Sequence, residues 1–337
     1  MPLPYKVNKQ IQFSKFKGSV RMQTKDTAVS GYAQQVLTQV KKVVVGKDPV
    51  LLWELAAILA RGHILLEDIP GVGKTTMALA FSRTLSLSCG RVQFTPDVLP
   101  SDVTGYSVPD GSGAMRYQPG AVLCNLFLAD ELNRATSRTQ SALLEAMEEG
   151  QVTVDGVSHP LPTPFTVIAT QNPAGAAGTQ LLPDSQLDRF MVRLSMGYPS
   201  AKDEAAMILN RQGGNPLRDL TPVMTREDLA AMQDTVEATF LSDSVVNYIV
   251  SLIGATRSNP DILRGASPRA TLAVTAMAKS VARLRGRDFV TPGDVKEVFT
   301  HTVAHRLILS SRAEAAGKQP EAVLQGILAA APAPRLR

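Results

Sequence analysis

A short apolar segment that runs directly into a glycine-rich turn is the feature that most limits how this chain can fold. The segment is HILLE at residues 63–67, and the turn reads IPGVGKTT from Ile69 to Thr76. A strand that ends in such a turn and opens a helix directs free backbone N–H groups and the positive end of the helix dipole at one point, where phosphates bind. The pattern therefore predicts a strand, loop and helix that hold a nucleoside triphosphate.

Separate positions of this turn have separate predicted roles. Gly71 and Gly73 let phosphates approach the backbone. Lys74 reaches the outer phosphates, and Thr75 offers its hydroxyl to Mg²⁺. Asp68 stands where the Walker A consensus has glycine, so its side chain must point away from the phosphates. The predicted nucleotide-binding residues of the turn are Pro70, Gly71, Val72, Gly73, Lys74, Thr75 and Thr76.

A second apolar run ends in two adjacent carboxylates. Residues 125–129 (NLFLA) have the continuous apolar character of a strand buried on both faces, and Asp130 and Glu131 follow them. We predict that Asp130 holds Mg²⁺ through water and that Glu131 polarises the attacking water, as in a Walker B site. Thr75 and Asp130 are thus the predicted metal-binding residues, and Lys74 and Glu131 are predicted catalytic residues.

Composition indicates a globular chain with room for two domains. Hydrophobic residues are 44% of the 337, charged residues are 19%, and neither a bilayer-spanning apolar run nor a secretory signal pattern is visible. Cys89 and Cys124, the only cysteines, do not have metal-type spacing. We therefore expect a cytoplasmic protein without a transmembrane segment.

Positive charge is concentrated at the start of the chain. Residues 1–25 contain six lysines and arginines and no acidic residue, so a net charge of +5 leaves about −1 for the remainder. A nearly neutral body offers no basic stripe, and we expect no nucleic-acid partner. The basic segment is either a disordered arm that contacts anionic surfaces or an upstream extension of a chain that starts at Met22.

The order of apolar segments predicts an α/β fold. Strand candidates at 63–67, 91–95, 125–129, 165–170 and 190–195 alternate with helix-length segments, as in a parallel sheet with helices on both faces. Two of those helices are predicted at 75–87 and 137–149. Asp-Gly turns indicate β-hairpin inserts at 104–119 and 151–165.

The sequence becomes helical after Pro199. Capping-box patterns at Thr225 and Thr291 start two of the helices, and Ser267-Pro268 starts another. The predicted organisation is an arm at 1–28, an α/β nucleotide-binding core at 29–199, a small all-helical domain at 200–312, and a C-terminal helix and tail at 313–337.

Six motifs follow one another along the chain in a set order. They are VVGKD (44–48), EDIPGVGKTTMA (67–78), ADELNRA (129–135), TQNP (170–173), QLDRF (186–190) and GASPRAT (265–271). Together they resemble the MoxR family of AAA+ ATPases. The resemblance covers about residues 30–310 and implies a P-loop NTPase core followed by a helical lid.

The resemblance assigns roles to four further residues. Gly46 belongs to the segment that passes near the adenine, and Asn172 matches sensor 1, which helps to orient the attacking water. Arg189 matches the arginine finger, which reaches the nucleotide of a neighbouring subunit. Arg269 matches sensor 2, which pairs with phosphate and reports the nucleotide state to the lid. The two hairpins resemble the family's helix-2 and pre-sensor-1 inserts.

The function implied by the resemblance is an ATP-hydrolysing, Mg²⁺-dependent motor. It would form a homo-oligomeric ring, expected to be a hexamer, and act as a chaperone-like remodeller that matures or activates a protein client. A separate protein with a von Willebrand factor A domain is the expected partner. Alternatives are a chelatase-like ring ATPase that drives metal insertion, a small-molecule kinase and a nucleic-acid motor.

Overall fold

A computed structural model describes residues 25–68, 71–172, 182–212 and 214–334. Most of the predicted arm at 1–28 lies outside this part of the chain. The strands are β1 (Ile64–Glu67), β2 (Cys89–Gln93), β3 (Gly105–Pro109), β4 (Met115–Pro119), β5 (Leu126–Asp130), β6 (Gln151–Val154), β7 (Val157–Pro160), β8 (Thr166–Gln171), β9 (Val192–Leu194), β10 (Ile262–Arg264) and β11 (Ile308–Leu309).

Helices connect these strands and make up most of the C-terminal part. They are α1 (Lys25–Val40), α2 (Asp48–Leu59), α3 (Lys74–Thr84), α4 (Pro100–Thr104), α5 (Ser137–Glu149), α6 (Asp184–Leu187), α7 (Ala201–Gln212), α8 (Arg226–Glu237), α9 (Asp243–Ser258), α10 (Pro268–Leu284), α11 (Pro292–Val303), α12 (Ser311–Ala315) and α13 (Pro320–Ala330).

The predicted parallel sheet is confirmed. Its five strands lie in the order β2-β5-β8-β1-β9, and every pair is parallel. The predicted strand at 91–95 lies two residues earlier, at Cys89–Gln93, where it pairs in register with β5. The predicted strand at 190–195 is shorter because the Phe190 N–H still donates to the Leu187 carbonyl in the preceding turn.

Both faces of the sheet are buried. Ile64 and Leu66 of β1 belong to one apolar core, whereas Leu65 between them belongs to a second core. Leu128 and Phe127 of β5 divide between the two cores in the same way. Because successive side chains of a strand point to opposite faces, the helices cover the sheet on both sides.

The two predicted hairpins project from this core. β3 pairs antiparallel with β4, and β6 pairs antiparallel with β7. In the second hairpin, Asp155 and Gly156 both have positive φ, at 50° and 79°, which is the backbone that a tight Asp-Gly hairpin turn requires. The rings of Tyr117 in β4 and His159 in β7 stack with centroids 3.7 Å apart, so the hairpins contact each other.

The helical region packs directly on the core. Gln233 of α8 donates to the Ile58 carbonyl at 2.7 Å, and Ser280 of α10 donates to the Ala56 carbonyl at 2.8 Å. These two buried bonds join α8 and α10 to α2. Over the residues that the structure covers, no helix combines the length and apolar character needed to span a membrane.

Candidate nucleotide site

The glycine-rich turn has the backbone of a phosphate loop. β1 ends at Glu67 and α3 begins at Lys74, while Ile69 and the predicted residue Pro70 lie outside the described residues. Gly71 and Gly73 have φ of 86° and 97°, in the left-handed region that favours glycine. Apart from chain neighbours, no atom of the described residues lies within 4 Å of the point where a Cβ would sit on either glycine, so this backbone has open space beside it at the N-terminus of α3.

A cavity of about 800 Å³ opens above this turn. Its volume is within the range of small-molecule sites. Gly46 lies against the Asp203 side chain and does not line the cavity, whereas its neighbours Val45 and Lys47 do. The lining includes Val43, Val44, Val45, Lys47, Gly71, Val72, Gly73, Thr76, Tyr198, Pro199, Glu204, Met207, Asn210, Arg211 and Gly214–Leu217.

Lys74, the first residue of α3, lies among carboxylates. Its Nζ donates to the Asp68 carbonyl oxygen at 2.7 Å, and the residue is 6% exposed. Burial lowers the pKa of Lys74, and the nearby charges of Asp68, Asp130 and Glu131 oppose that shift. A buried cation that shares a site with two carboxylates at a helix N-terminus fits a magnesium-bound triphosphate.

The predicted metal-binding residues are in contact. The Thr75 hydroxyl donates to Asp130 Oδ2 at 3.3 Å, and the Thr170 hydroxyl donates to Oδ1 at 2.7 Å. Arg91 of β2 pairs with Asp130 Oδ2 at 2.9 Å. The hydroxyl of Thr75 and the carboxylate of Asp130 are the ligand types that Mg²⁺ binds beside phosphate.

Glu131 is held by its backbone as well as its side chain. Its φ is 56°, and its N–H donates to the Thr170 hydroxyl at 2.8 Å. Its Oε2 pairs with Arg134 at 2.9 Å. Thr170 thus joins Asp130 to Glu131 and fixes the two carboxylates relative to each other.

Asn172 follows β8 at the same edge of the sheet. Its N–H donates to Asn133 Oδ1 at 3.4 Å, and its carbonyl accepts from Asn133 Nδ2 at 3.3 Å. The Oδ1 atom of Asn172 is buried and has no hydrogen-bond partner among the described residues. Asn133 holds the backbone of Asn172, and the buried Oδ1 atom still needs a hydrogen-bond donor. A water molecule can supply that donor, as the predicted sensor 1 role requires.

Asp68 points away from the phosphate loop, as the sequence predicts. Its carboxylate accepts from the N–H of Gly197 and from the Ser195 hydroxyl, both at 3.1 Å, and from the N–H of Met196. Lys47 binds the same segment, since its Nζ donates to the carbonyls of residues 196, 197 and 198 at 2.7–2.9 Å. The link from β9 to α7 is therefore fixed to both the phosphate loop and the cavity wall.

Arg189 and Arg269 lie away from the nucleotide cavity. They line a second cavity of about 340 Å³ together with Gly62, His63 and Met191. Those three residues precede β1 and β9, so this cavity is at the amino-terminal edge of the parallel sheet, whereas the phosphate loop follows the carboxyl end of β1. The length of β1 alone separates them by roughly 13 Å.

Within one protomer, Arg269 is therefore not placed to make the contact with phosphate that its implied sensor 2 role requires. Arg269 does not line the nucleotide cavity and is grouped with Arg189 through Glu148, which forms an ion pair with each. Arg269 starts α10, whose first turn is held against the core because the Ser267 hydroxyl donates to Asp188 at 3.0 Å. Both arginines consequently face the same side of the protomer.

Five residues that contact the predicted site were not assigned from sequence. Lys47, Arg134 and Thr170 fall within the motifs VVGKD, ADELNRA and TQNP, so the motifs contained the signal. Arg91 and Glu148 carry no such signal. Their partners are distant in sequence, and only the pairing of β2 with β5 and the docking of α10 bring them together.

Comparison with known proteins agrees with this geometry. Residues 63–192 match the ATPase family associated with various cellular activities (AAA), and residues 254–327 match the AAA lid domain. The chain is 43% identical to the uncharacterised protein YeaC of Bacillus subtilis, over 89% of this chain and 94% of that one. It is 38% identical to the chaperone MoxR1 of Mycobacterium tuberculosis, over 88% and 80% of the two chains.

A solved structure shares the architecture. It is a protein of Cytophaga hutchinsonii proposed to be an ATPase, with a TM-score of 0.86, 35% identity, and coverage of 92% of this chain and 97% of that one. The family matches, the relatives and the fold lead to one conclusion. The chain belongs to the MoxR family of AAA+ ATPases.

Proposed function

We propose that this protein hydrolyses ATP at sites that are each completed by two protomers. Lys74 would bind the outer phosphates, and Thr75 and Asp130 would hold Mg²⁺, which neutralises charge on those phosphates. Glu131 would accept a proton from the attacking water, which Asn172 would help to orient. Arg189 and Arg269 would come from the next protomer and stabilise the charge that develops in the transition state.

The observation that carries this proposal is the separation of the two halves of the site. The carboxylates and the phosphate loop lie at one edge of the sheet, and the two arginines lie at the other. An arginine side chain cannot reach across the length of β1. A head-to-tail contact between identical copies brings the halves together, and repetition of that contact closes a ring, which we propose is a hexamer.

Exposed apolar side chains occur beside both halves. Tyr198 beside the nucleotide cavity is 77% exposed, and Ile208 of α7 is 67% exposed. Leu272 lines the arginine cavity and is 72% exposed. Such residues beside two complementary sites favour burial between protomers.

We further propose a chaperone-like role on a protein client, in the cytoplasm. One relative is named a chaperone, and both cysteines here are free thiols, as a reducing compartment allows. The hairpins carry exposed Tyr106, Met115 and Val157, which would contact the client. A separate protein with a von Willebrand factor A domain would deliver that client.

Nucleotide binding and turnover in two variants test the ATPase proposal. We expect Lys74→Ala to weaken ATP binding by more than about tenfold, because it removes charge-assisted hydrogen bonds. We expect Glu131→Gln to bind ATP normally and to lose about 10²–10⁴-fold in turnover. Lys202→Ala, on the exposed face of α7, is the control. Equal loss of binding in Lys74→Ala and Glu131→Gln would refute the separate roles.

A further inference from the structure

Glu148 holds the two arginines of the second cavity at once. It is the penultimate residue of α5, and its Oε2 pairs with Nη1 of Arg189 while its Oε1 pairs with Nη2 of Arg269. Arg189 Nη1 also donates to the Leu144 carbonyl, one turn earlier in α5, at 3.1 Å. Each carboxylate oxygen therefore serves one guanidinium group.

This cluster joins two parts of the protein and is open to a neighbour. Arg189 belongs to the core, and Arg269 belongs to the first turn of α10 in the lid. The side chains of Arg189, Glu148 and Arg269 are 28%, 36% and 42% exposed. The buried Nε of Arg189 has no hydrogen-bond partner among the described residues. The three side chains thus carry one negative and two positive charges, so the cluster has a net positive charge. Arg189 Nε can still donate a hydrogen bond.

A carboxylate and a phosphate compete for the same guanidinium edge. Both accept charge-assisted hydrogen bonds from arginine in similar geometry, and an N–H aimed at Glu148 is not aimed at a phosphate. When a phosphate of a neighbouring protomer enters the cavity, the carboxylate also repels it. The arginines must therefore leave Glu148 before they act on a nucleotide.

We propose that Glu148 competes with the terminal phosphate of a neighbouring protomer's ATP for Arg189 and Arg269. The proposal rests on the shared site of the proposed function. Glu148 acts through the two arginines and is a positioning residue. It holds them together when the neighbour carries ADP, which has no third phosphate to displace the carboxylate, and releases them to ATP.

The test compares the affinities of Mg²⁺–ATP and Mg²⁺–ADP in the full-length protein. Glu131→Gln is the background, so that ATP stays intact. Adding Glu148→Gln removes the competing charge at nearly constant shape, and we expect ATP to bind about tenfold more tightly, or about 1.4 kcal/mol. ADP affinity should stay within about twofold, because ADP does not reach the arginines. Fluorescence titration with labelled nucleotides measures both constants.

Two controls separate competition from a general effect of charge. Glu149→Gln changes the next residue of α5, whose side chain is exposed, and should leave the ATP affinity unchanged. In a protein that also carries Arg189→Ala and Arg269→Ala, Glu148→Gln should give no further gain, because its partners are gone.

The other outcomes overturn the proposal. An ATP affinity that is unchanged or weaker in Glu148→Gln would show that Glu148 does not compete with the phosphate. A gain that persists without the two arginines would show that it acts by another route. Failure of the proposed function gives a different result, because the background protein would then not bind ATP, or Arg189→Ala alone would leave turnover intact.

Discussion

At the residue scale, the position of Asp68 explains how this chain departs from the Walker consensus without losing its phosphate loop. The residue is 6% exposed, and its carboxylate holds the segment after β9. Lys47 is 7% exposed, and burial lowers its pKa, against the attraction of Asp68 and Asp203. The two buried charges thus satisfy backbone donors and acceptors of one short segment.

Removal of the Asp68 carboxylate is expected to destabilise the fold. Asp68→Ala leaves the N–H groups of Met196 and Gly197 without their acceptor and removes one of the two carboxylates that attract Lys47. We expect the free energy of unfolding to fall by about 2–4 kcal/mol, measured by urea denaturation. Asp97→Ala, in an exposed loop, is the control. A loss equal to that of the control would contradict the structural role of Asp68.

Glu54 gives the fold a pH dependence of definite sign. The residue is fully buried in α2, neither carboxyl oxygen has a hydrogen-bond partner among the described residues, and burial raises its pKa well above 4.5. Above pH 4.5 the unfolded chain releases this proton while the folded protein keeps it. Stability is therefore lost as pH rises above 4.5, by up to about 1.4 kcal/mol per pH unit.

A neutral replacement should remove this dependence. We expect Glu54→Gln to unfold at higher urea concentration than the parent protein at pH 8, with an advantage that disappears near pH 4. Glu145→Gln, exposed on α5, should follow the parent at every pH. An advantage of Glu54→Gln that is constant from pH 4 to pH 8 would mean that Glu54 does not titrate.

At the element scale, local signals predicted most of the structure. The capping boxes at Thr225 and Thr291 form with Asp228 and Asp294, and Gly150 ends α5 in the left-handed conformation, because these features need only neighbouring residues. The docking of α10 could not be predicted in this way. It depends on Ser267 and Asp188, which are far apart in sequence, and it places Arg269 beside Arg189.

The stacked rings of Tyr117 and His159 should make the two hairpins open together. We expect His159→Ala to increase amide hydrogen exchange across β3 and β4, because an aromatic pair contributes about 0.5–1.5 kcal/mol beyond its buried area. ATP binding should not change. His159→Phe keeps an aromatic ring and is the matched control. Equal protection of β3 and β4 in His159→Ala and His159→Phe would show that the hairpins open separately.

At the scale of the whole molecule, the proposed function requires two faces of the protomer to carry different parts of one site. If Leu272 is buried between protomers, Leu272→Asp should raise the protein concentration needed for assembly by about tenfold or more and leave the fold intact. Sedimentation velocity with Mg²⁺–ATP and a thermal melt measure the two effects. Val250→Asp, 54% exposed on α9, is the control. Equal assembly of the Leu272 variant and the parent would place the interface elsewhere.

Mixed rings test most directly whether the site is shared between protomers. Arg189→Ala subunits keep Glu131, and Glu131→Gln subunits keep Arg189, so a contact between the two kinds can restore one intact site. In an equal mixture, about a quarter of the contacts combine an intact Glu131 with an intact Arg189 from the next protomer. We expect ATPase activity well above that of either variant alone. Activity no higher than the separate variants, in rings shown to be mixed, would contradict the account.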